Sequence, residues 1–527
     1  MAARASGYPR AVHDIEFLML LLLAIAFLAQ VAGRLRIPYP VFLVTGGLAI
    51  ALIPGIPQID LEPDIVFLVF LPPLLYAGAF TASPRDLRRE SGRIALLAVA
   101  LVVLTVLAVA LAARLVLGDL SWPMAFVLGA VLAPTDPVAA TAVFRRTPVP
   151  ERVAVVVEGE ALVNDGVGLT LYRTAVGAAT AGTFSLGAAA LDFVLVAAGG
   201  VAIGLALGWV LNALKQRAQD TEIEITLSLF TPYAAYIAAE QVGVSGVLAA
   251  VAIGVYSGWR STEVLMPETR VKIQAFWGAL AFLLDSMLFV LVGLQLPRVL
   301  DALEPRSLGQ YLLPALAVAA TVMVVRMAFV LILAFVRARL PAVVEEPLPR
   351  GERLVVGWSG MRGAVSLAAA LAIPLATDGR EVVLLVTFAT ILVTIVVQGL
   401  TLPLIVHACG LDRTAADERQ EQEARLHAAE AALRRLDEVG GEEDAPDTTV
   451  ERLRTTYVEH AERAAAELGH DGVETEDSSE AYAELRTQTL EAERDAILEL
   501  RRAGKLSSDA ARRIQHDIDL AESRLRS

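Results

Sequence analysis

An apolar stretch from Val153 to Tyr172 carries ionisable side chains in its middle, within the segment Glu158-Gly159-Glu160-Ala161-Leu162-Val163-Asn164-Asp165-Gly166. About 20 apolar residues span a bilayer as a helix. Asp165 lies about 20 Å along such a helix from the charged end at Arg152, past the middle of a ~30 Å hydrocarbon core. An ionisable group at this depth costs several kcal/mol, so it commonly faces a transport pathway or a partner. The stretch therefore predicts a carboxylate that binds a cation or a proton during transport, or a structural polar patch held by neighbouring helices.

The composition is that of a membrane protein with many spans. Of the 527 residues, 56% are hydrophobic, and the mean hydropathy is +0.58. The net charge of −14 belongs mainly to a tail: residues 411–527 hold 30 acidic and 17 basic side chains, against 28 and 27 in residues 1–410. The single cysteine, Cys409, excludes a disulfide framework within one chain. No zinc-type spacing or Walker-type glycine loop is present, which argues against an ATP-driven pump; we expect no cofactor and no nucleic-acid partner.

Apolar stretches predict thirteen transmembrane helices. The first could also be a secretory signal, because Arg4 and Arg10 precede it, but its apolar run is long and another span follows at once. The predicted spans are residues 15–33, 39–55, 63–80, 94–117, 121–144, 153–173, 187–213, 223–240, 243–259, 273–297, 309–336, 353–374 and 381–408.

Successive predicted loops are alternately rich and poor in basic residues. With thirteen spans, 18 basic residues fall on one side of the membrane and 7 on the other. The positive-inside rule places the richer side in the cytoplasm, with the N-terminus outside and the tail inside. An error of one span would scramble this alternation. Only three of the 44 basic residues are lysines, which fits a GC-rich bacterial genome and hence the plasma membrane.

Two predicted spans contain helix breakers near mid-depth. One carries Pro134-Thr135-Asp136-Pro137, and each proline removes an N–H and leaves a carbonyl unpaired. The other carries Gly357-Trp358-Ser359-Gly360-Met361-Arg362-Gly363-Ala364, whose glycines allow close crossing and local unwinding. If spans one to six and eight to thirteen are inverted copies, these two spans occupy matching places. Paired interrupted spans indicate a transporter's binding site.

The combination of Pro-Thr-Asp-Pro at 134–137, Glu-Gly-Glu-x-x-x-Asn-Asp-Gly at 158–166 and Gly-Met-Arg-Gly-Ala at 360–364 resembles the monovalent cation–proton antiporters of the sodium/proton exchanger and NhaP type. The resemblance covers about residues 12–410. It implies an all-α membrane protein with two inverted six-helix repeats and crossing discontinuous helices. It further implies a homodimer in which a core domain (about 92–173 and 309–408) moves against a dimerisation domain (about 15–80 and 185–297).

The resemblance also implies roles for individual residues. Asp165 matches the ion-binding aspartate, and Thr135 matches a residue whose backbone carbonyl contributes to the Na⁺ site. Asn164 matches the residue that distinguishes the electroneutral branch, and Glu160 matches an acid near the ion. Asp136 is expected beside the ion as well.

Two buried arginines are expected to have acidic partners, since an unpaired charge inside the membrane is strongly destabilising. The resemblance implies that Asp136 pairs with Arg362 and that Glu160 pairs with Arg326. Ala161 departs from the pattern, because many relatives have serine there.

Two further positions leave alternatives open. Many relatives have an acid at the place of Tyr76 or Ala77, so a gating or auxiliary proton role for the third span is in doubt. Asp285, about 20 Å into its span from Lys272, could line a cation funnel or bond with a neighbouring polar group; the second interpretation is the simpler one.

A single buried carboxylate is sufficient for exchange. Removal from water favours its neutral, protonated form, which does not hold Na⁺, whereas the ionised form attracts a cation. A site that holds one or the other, and faces each side in turn, exchanges them. On an ideal helix Glu160 and Asp165 point about 140° apart, so spacing alone does not place both on one ion.

The tail, residues 411–527, is predicted to be a cytosolic bundle of helices over 416–437, 450–468, 479–503 and 507–525. It is interpreted as regulatory or dimer-supporting, or as a solvated tail without a function of its own.

The sequence therefore predicts a secondary antiporter, not an enzyme, that exchanges Na⁺, or Li⁺ or K⁺, for H⁺. The alternative is a cation channel or membrane sensor on the same fold. The sequence leaves open the choice among these cations, the pH set point, the direction in vivo and the ligand of the tail.

Overall fold

A computed structural model describes residues 10–53, 63–181, 186–295, 309–339, 348–411, 415–439 and 447–468, apart from residues 36, 148 and 219, together with residue 297 and six positions between 489 and 497. All regular secondary structure in these residues is helical. The chain divides into two units, Met1–Asp412 and Arg413–Ser527.

The helices of the first unit follow the predicted apolar stretches in order, and a short helix lies between the third and fourth stretches. They are α1 Arg10–Leu35, α2 Tyr39–Ala51, α3 Pro63–Thr81, α4 Pro84–Arg89, α5 Ser91–Val116, α6 Trp122–Leu132, α7 Pro137–Phe144, α8 Glu151–Ala181, α9 Leu186–Ala218, α10 Thr221–Gln241, α11 Gly246–Val264, α12 Pro267–Leu294, α13 Gly309–Arg339, α14 Arg350–Trp358, α15 Ala364–Leu371 and α16 Arg380–Ala408.

Seven helical spans in the described residues are long and apolar enough to cross a membrane. One of them is the pair α6–α7, counted as Trp122–Phe144. Helix α8 is long but falls outside this group, because the polar residues at its centre lower its mean hydropathy. The outward faces are apolar: Leu23, Trp209 and Leu313 are 68%, 66% and 74% exposed. An apolar exterior of this extent is the surface expected to face lipid.

Both predicted interruptions are present. Helix α6 ends at Leu132 and α7 begins at Pro137, and likewise α14 ends at Trp358 and α15 begins at Ala364. The N-terminus of α6 is capped by Ser121, whose hydroxyl accepts a hydrogen bond from the N–H of Met124. Each interrupted helix therefore presents free backbone groups in the middle of the unit.

Glycines let several helices cross in close contact. Helices α2 and α12 meet at Gly47 and Gly293, and α11 meets α3 at Gly254 and Gly258. At each position an added Cβ would overlap atoms of the neighbouring helix. Small residues at membrane helix crossings permit this close approach. Van der Waals packing then holds the helices together, because lipid provides no hydrophobic driving force between them.

The tail unit contains two described helices, α17 Ala415–Val439 and α18 Asp447–Glu467, which pack against each other. Ala429 and Ala464 are buried, and Arg454 binds Asp437 at 2.5 Å. The predictions over 416–437 and 450–468 are confirmed. The prediction over 507–525, and all but six positions of that over 479–503, lie outside the described residues.

Candidate functional site

The two interrupted helices touch at their unwound segments. The backbone N–H of Asp136 donates to the carbonyl of Met361 at 2.8 Å, and the N–H of Arg362 donates to Thr394 Oγ1 of α16 at 3.1 Å. Only glycine fits at position 363, because an added Cβ would overlap the Asp136 carboxylate. The crossing is thus held by backbone groups that the broken helices leave free.

Asp136 serves as the N-cap of α7. Its Oδ1 accepts a hydrogen bond from the N–H of Val138 at 2.9 Å, which satisfies an otherwise free donor. Among the described residues no basic side chain forms an ion pair with it. The expected pairing of Asp136 with Arg362 is therefore wrong.

Arg362 turns towards its own segment instead. Its Nη1 donates to the carbonyl of Gly360 at 2.7 Å, and the residue is only 1% exposed. A freed carbonyl two residues earlier replaces the carboxylate that the resemblance implied. Arg362 also lies within electrostatic range of Arg326 and Glu160.

Glu160 and Arg326 form the expected ion pair. Arg326 Nη2 donates to Glu160 Oε2 at 2.7 Å, and Nη1 contacts Oε1, so the pairing is bidentate. Arg326 Nε and Nη2 also donate to the carbonyl of Val356 in α14, at 3.2 and 3.1 Å. Both side chains are 1% exposed. The pair joins α8, α13 and α14 in the interior, where an unpaired charge would be strongly destabilising.

Asn164 is fixed by Thr135 of the unwound segment. Asn164 Nδ2 donates to Thr135 Oγ1 at 2.6 Å, and Asn164 is fully buried. Its Oδ1 has no hydrogen-bond partner among the residues that the structure describes. The Asn164 side chain thus ties the centre of α8 to the break between α6 and α7 and presents one unused oxygen there.

Asp165 is the carboxylate to which the resemblance assigns ion binding. It is 5% exposed and has no hydrogen bond or ion pair among the described residues. It lies within electrostatic range of Asp136. A buried carboxylate near a second one favours the binding of a proton or a cation. Asp165 thus lies within electrostatic range of Asp136, whereas Glu160 forms an ion pair with Arg326.

Asp285 of α12 approaches the same region from another helix. It is 9% exposed and lies within electrostatic range of Asp136 and Arg145. Tyr39 of α2 lies within range of the same group. Among the described residues no polar neighbour forms a hydrogen bond with the Asp285 side chain. Both sequence interpretations of Asp285 stay predictions.

The buried ionisable side chains differ in their electrostatic neighbours. Arg362 lies within electrostatic range of Arg326 and Glu160, whereas Asp165 and Asp285 each lie within electrostatic range of Asp136. In the described residues no cluster of three or more His, Cys, Asp or Glu side chains has the arrangement of a resident metal site.

The third span does not contribute a polar group to this site. The hydroxyl of Tyr76 lies 3.4 Å from Ser228 Oγ, and its ring lies 4.8 Å from that of Trp277. Trp277 Nε1 also donates to Ser228 at 2.9 Å. Tyr76 belongs to a buried cluster of α3, α10, α11 and α12.

The contacts that Thr394 and the backbone of Met361 make at the crossing were not predicted from the sequence. Both residues act through tertiary contacts. Thr394 Oγ1 accepts a hydrogen bond from the N–H of Arg362, and the carbonyl of Met361 accepts one from the N–H of Asp136. A signal for Thr394 was available, because the apolar α16 carries buried Thr387, Thr390 and Thr394 at helical spacing. Met361 acts through its backbone, which leaves no signal in its side chain.

The family comparison agrees with this geometry. Residues 19–408 match the family model described as "Sodium/hydrogen exchanger, transmembrane". The chain belongs to the sodium/hydrogen exchanger family. The match spans both broken helices and all the site residues described above.

Curated relatives of this exchanger chain are similar over most of their length. It is 32% identical to the Na⁺/H⁺ antiporter ApNhaP of Aphanothece halophytica, over 94% of each chain. It is 33% identical to the low-affinity Na⁺/H⁺ antiporter NhaS1 of Synechocystis, over 82% of this chain and 81% of the relative. A sodium, potassium, lithium and rubidium/H⁺ antiporter of Bacillus pumilus is 32% identical over 74% of this chain and 61% of its own.

The fold is that of a solved sodium proton antiporter. The structure of MjNhaP1 from Methanocaldococcus jannaschii at pH 8 superposes with a TM-score of 0.61 and 21% identity, covering 76% of this exchanger chain and 99% of the other. Members of this family are secondary transporters, not enzymes.

Proposed function

We propose that this protein is a secondary antiporter that exchanges Na⁺ for H⁺, one for one, by alternating access around Asp165. The observation that carries the proposal is the Asp165 carboxylate, which is buried beside two interrupted helices and has no ion-pair partner in the described part of the chain. An ionised Asp165 attracts a cation, and a protonated Asp165 does not. The relatives' printed names, which include antiporters of Na⁺ and of K⁺, Li⁺ and Rb⁺, support this class of substrate.

The neighbours of Asp165 complete the proposed ion site. The carbonyl of Thr135 and the carboxylate of Asp136 lie in the unwound segment that replaces water around the ion. Asn164 holds that segment through its bond to Thr135. Glu160 stays close but is committed to Arg326.

The proposed ratio of one proton to one cation depends on how many side chains of the site change protonation during the cycle. Asn164 carries no proton that exchanges, and the Glu160–Arg326 pair moves as a neutral unit. One proton on Asp165 is then replaced by one monovalent cation, and no net charge crosses. Asp136 and Asp285 are the first suspects if a second group titrates, because neither has a basic ion-pair partner among the described residues.

The moving parts are proposed to follow the predicted division. A core of residues 92–173 and 309–408 slides against a dimerisation domain of residues 15–80 and 185–297 in a homodimer of thirteen spans with inverted repeats. The N-terminus lies outside the plasma membrane and the tail inside, where exchange contributes to pH homeostasis. The interrupted helices α6–α7 and α14–α15 both lie in the core, which supports this division.

Everted vesicles with a pH-sensitive dye test the exchange. Respiration acidifies the lumen, and added Na⁺ or Li⁺ should dissipate the pH gradient. Asp165→Asn, which keeps the shape and removes the charge, should abolish the response. Asp119→Asn, at an exposed loop position, is the matched control and should leave it intact.

Proteoliposomes under a clamped potential test the stoichiometry. Exchange should run at the same rate at zero and at about −100 mV, a potential worth roughly 2.3 kcal/mol per net charge moved. A steady Na⁺-driven current would refute the one-for-one ratio. Cation flux without proton flux would indicate a channel, and no response to Na⁺, Li⁺ or K⁺ would refute the antiporter.

A further inference from the structure

A solvent-accessible ion pair joins two helices that the proposed function assigns to different moving bodies. Arg173 of α8 donates to both oxygens of Glu240 in α10, at 3.0 and 2.8 Å. Helix α8 carries Asp165, eight residues before Arg173, about 12 Å along the helix axis. The pair therefore connects the helix that carries the ion site to the opposite body.

A second contact between the bodies lies on the other side of the crossing. Arg146, just after α7, donates to the carbonyl of Ile37 at 2.6 Å. From there the chain returns along α8, past the level of Thr135 and Asn164, and continues to Arg173. The Arg146 and Arg173 contacts thus lie at opposite ends of the core, so a tilt or slide that closes one end strains the other.

Glu240 is held in place without Arg173. Its Oε1 also accepts a hydrogen bond from the N–H of Gly246, at the N-terminus of α11, at 3.2 Å. A Cβ at Gly246 would lie 3.0 Å from Glu240 Cγ and Oε1, closer than a relaxed contact. The carboxylate thus keeps its position when the arginine leaves, and Arg173 can return to a site that is already formed.

The exposure of this pair sets it apart from Glu160–Arg326. The side chains of Arg173 and Glu240 are 53% and 31% exposed, whereas both members of the Glu160–Arg326 pair are 1% exposed. Breaking a buried pair leaves a charge without compensation. Arg173 and Glu240 are exposed at the ends of the predicted spans 153–173 and 223–240, where water can solvate them as they separate. The buried pair lies inside the core and can stay closed throughout transport; the exposed pair lies where separation is required.

We propose that the Arg173–Glu240 pair is a reversible latch that stabilises the conformation described here and opens once in every transport cycle. This proposal rests on the proposed function, because it requires a core that moves against a second body. The latch biases the two access states and takes no part in ion binding.

Reversible cross-linking tests the latch. In a chain with Cys409→Ser, the double variant Arg173→Cys/Glu240→Cys is treated with a short bifunctional methanethiosulfonate reagent and reconstituted. Cross-linking should stop most of the exchange, and a reductant should restore it. The matched control is Arg260→Cys/Glu263→Cys, an ion pair of 2.7 Å within α11 alone, whose cross-linking should leave exchange unchanged.

The outcomes separate the latch from the proposed function. If the reduced double variant exchanges Na⁺ for H⁺ and the cross-linked one exchanges equally well, the latch is refuted while the antiporter stands. If the unmodified chain with Asp165 intact shows no exchange, the proposed function itself fails.

A single substitution provides a test that needs no reagent. Arg173→Gln should change the apparent KM for Na⁺ by about 1.5- to 5-fold at low salt, the range expected for an exposed ion pair. The change should shrink as an inert salt screens the charges. An unchanged KM at low salt in a well-assembled protein would overturn the proposal.

Discussion

The Glu160–Arg326 pair makes the sharpest prediction about stability. Glu160→Gln removes the charge and keeps the volume, which leaves Arg326 buried with only the Val356 carbonyl and a neutral amide as partners. Both side chains are 1% exposed, so water does not compensate the guanidinium. Breaking such a pair costs about 3–5 kcal/mol. Arg362, within electrostatic range of Glu160, then adds a second uncompensated positive charge.

The melting temperature of the purified protein reports this loss. With an unfolding entropy of roughly 2.1 cal/mol/K per residue over the ~400 residues of the membrane unit, Glu160→Gln should lower Tm by about 4–6 °C. The double variant Glu160→Gln/Arg326→Met should recover much of the loss, because it removes both charges together. Glu151→Gln, at an exposed position of the same helix, is the control and should leave Tm unchanged.

Two results would refute the reasoning. If the Tm of Glu160→Gln equals that of the wild type, the pair contributes nothing measurable to stability. If the double variant loses the sum of the two single losses, the two side chains act independently, although the structure places them in bidentate contact.

Three further predictions concern the crossing. Gly363→Ala should lower both Tm and exchange, because its Cβ would overlap the Asp136 carboxylate; a fully active Gly363→Ala protein would contradict the close approach. Thr135→Val should destabilise the protein by about 1–3 kcal/mol by leaving Asn164 Nδ2 unpaired, whereas Thr135→Ser should be nearly neutral, as thermal unfolding would show. Asn164→Asp adds a group that can titrate, so a Na⁺-driven current should appear on a solid-supported membrane; exchange without current would mean that the new carboxyl does not change protonation during the cycle.

The positions of the broken helices were predictable from the sequence. Proline at 134 and 137 and glycine at 357, 360 and 363 interrupt apolar runs, and both interruptions are present in the structure. This succeeds because helix continuation depends on residues within one turn of each other. The depth of Asp165 in the membrane, counted along an apolar run, stays a prediction.

The partners of the buried charges were not predictable from the spacing. Glu160 and Asp165 are close in sequence, yet they point about 140° apart on an ideal helix. The structure directs Glu160 to Arg326 and leaves Asp165 beside Asp136. Family resemblance supplied the Glu160–Arg326 pair correctly and the Asp136–Arg362 pair wrongly.

The sequence by itself thus determined where the chain is helical and where it is interrupted. Only the tertiary structure decided which of the ionisable groups are neutralised. Arg362 could bond to a freed carbonyl of its own segment once Asp136 was engaged in capping α7. That choice depends on how two unwound segments, far apart in the chain, cross and exchange backbone hydrogen bonds. Local periodicity does not encode it, because the competing partners of a buried charge come from different helices.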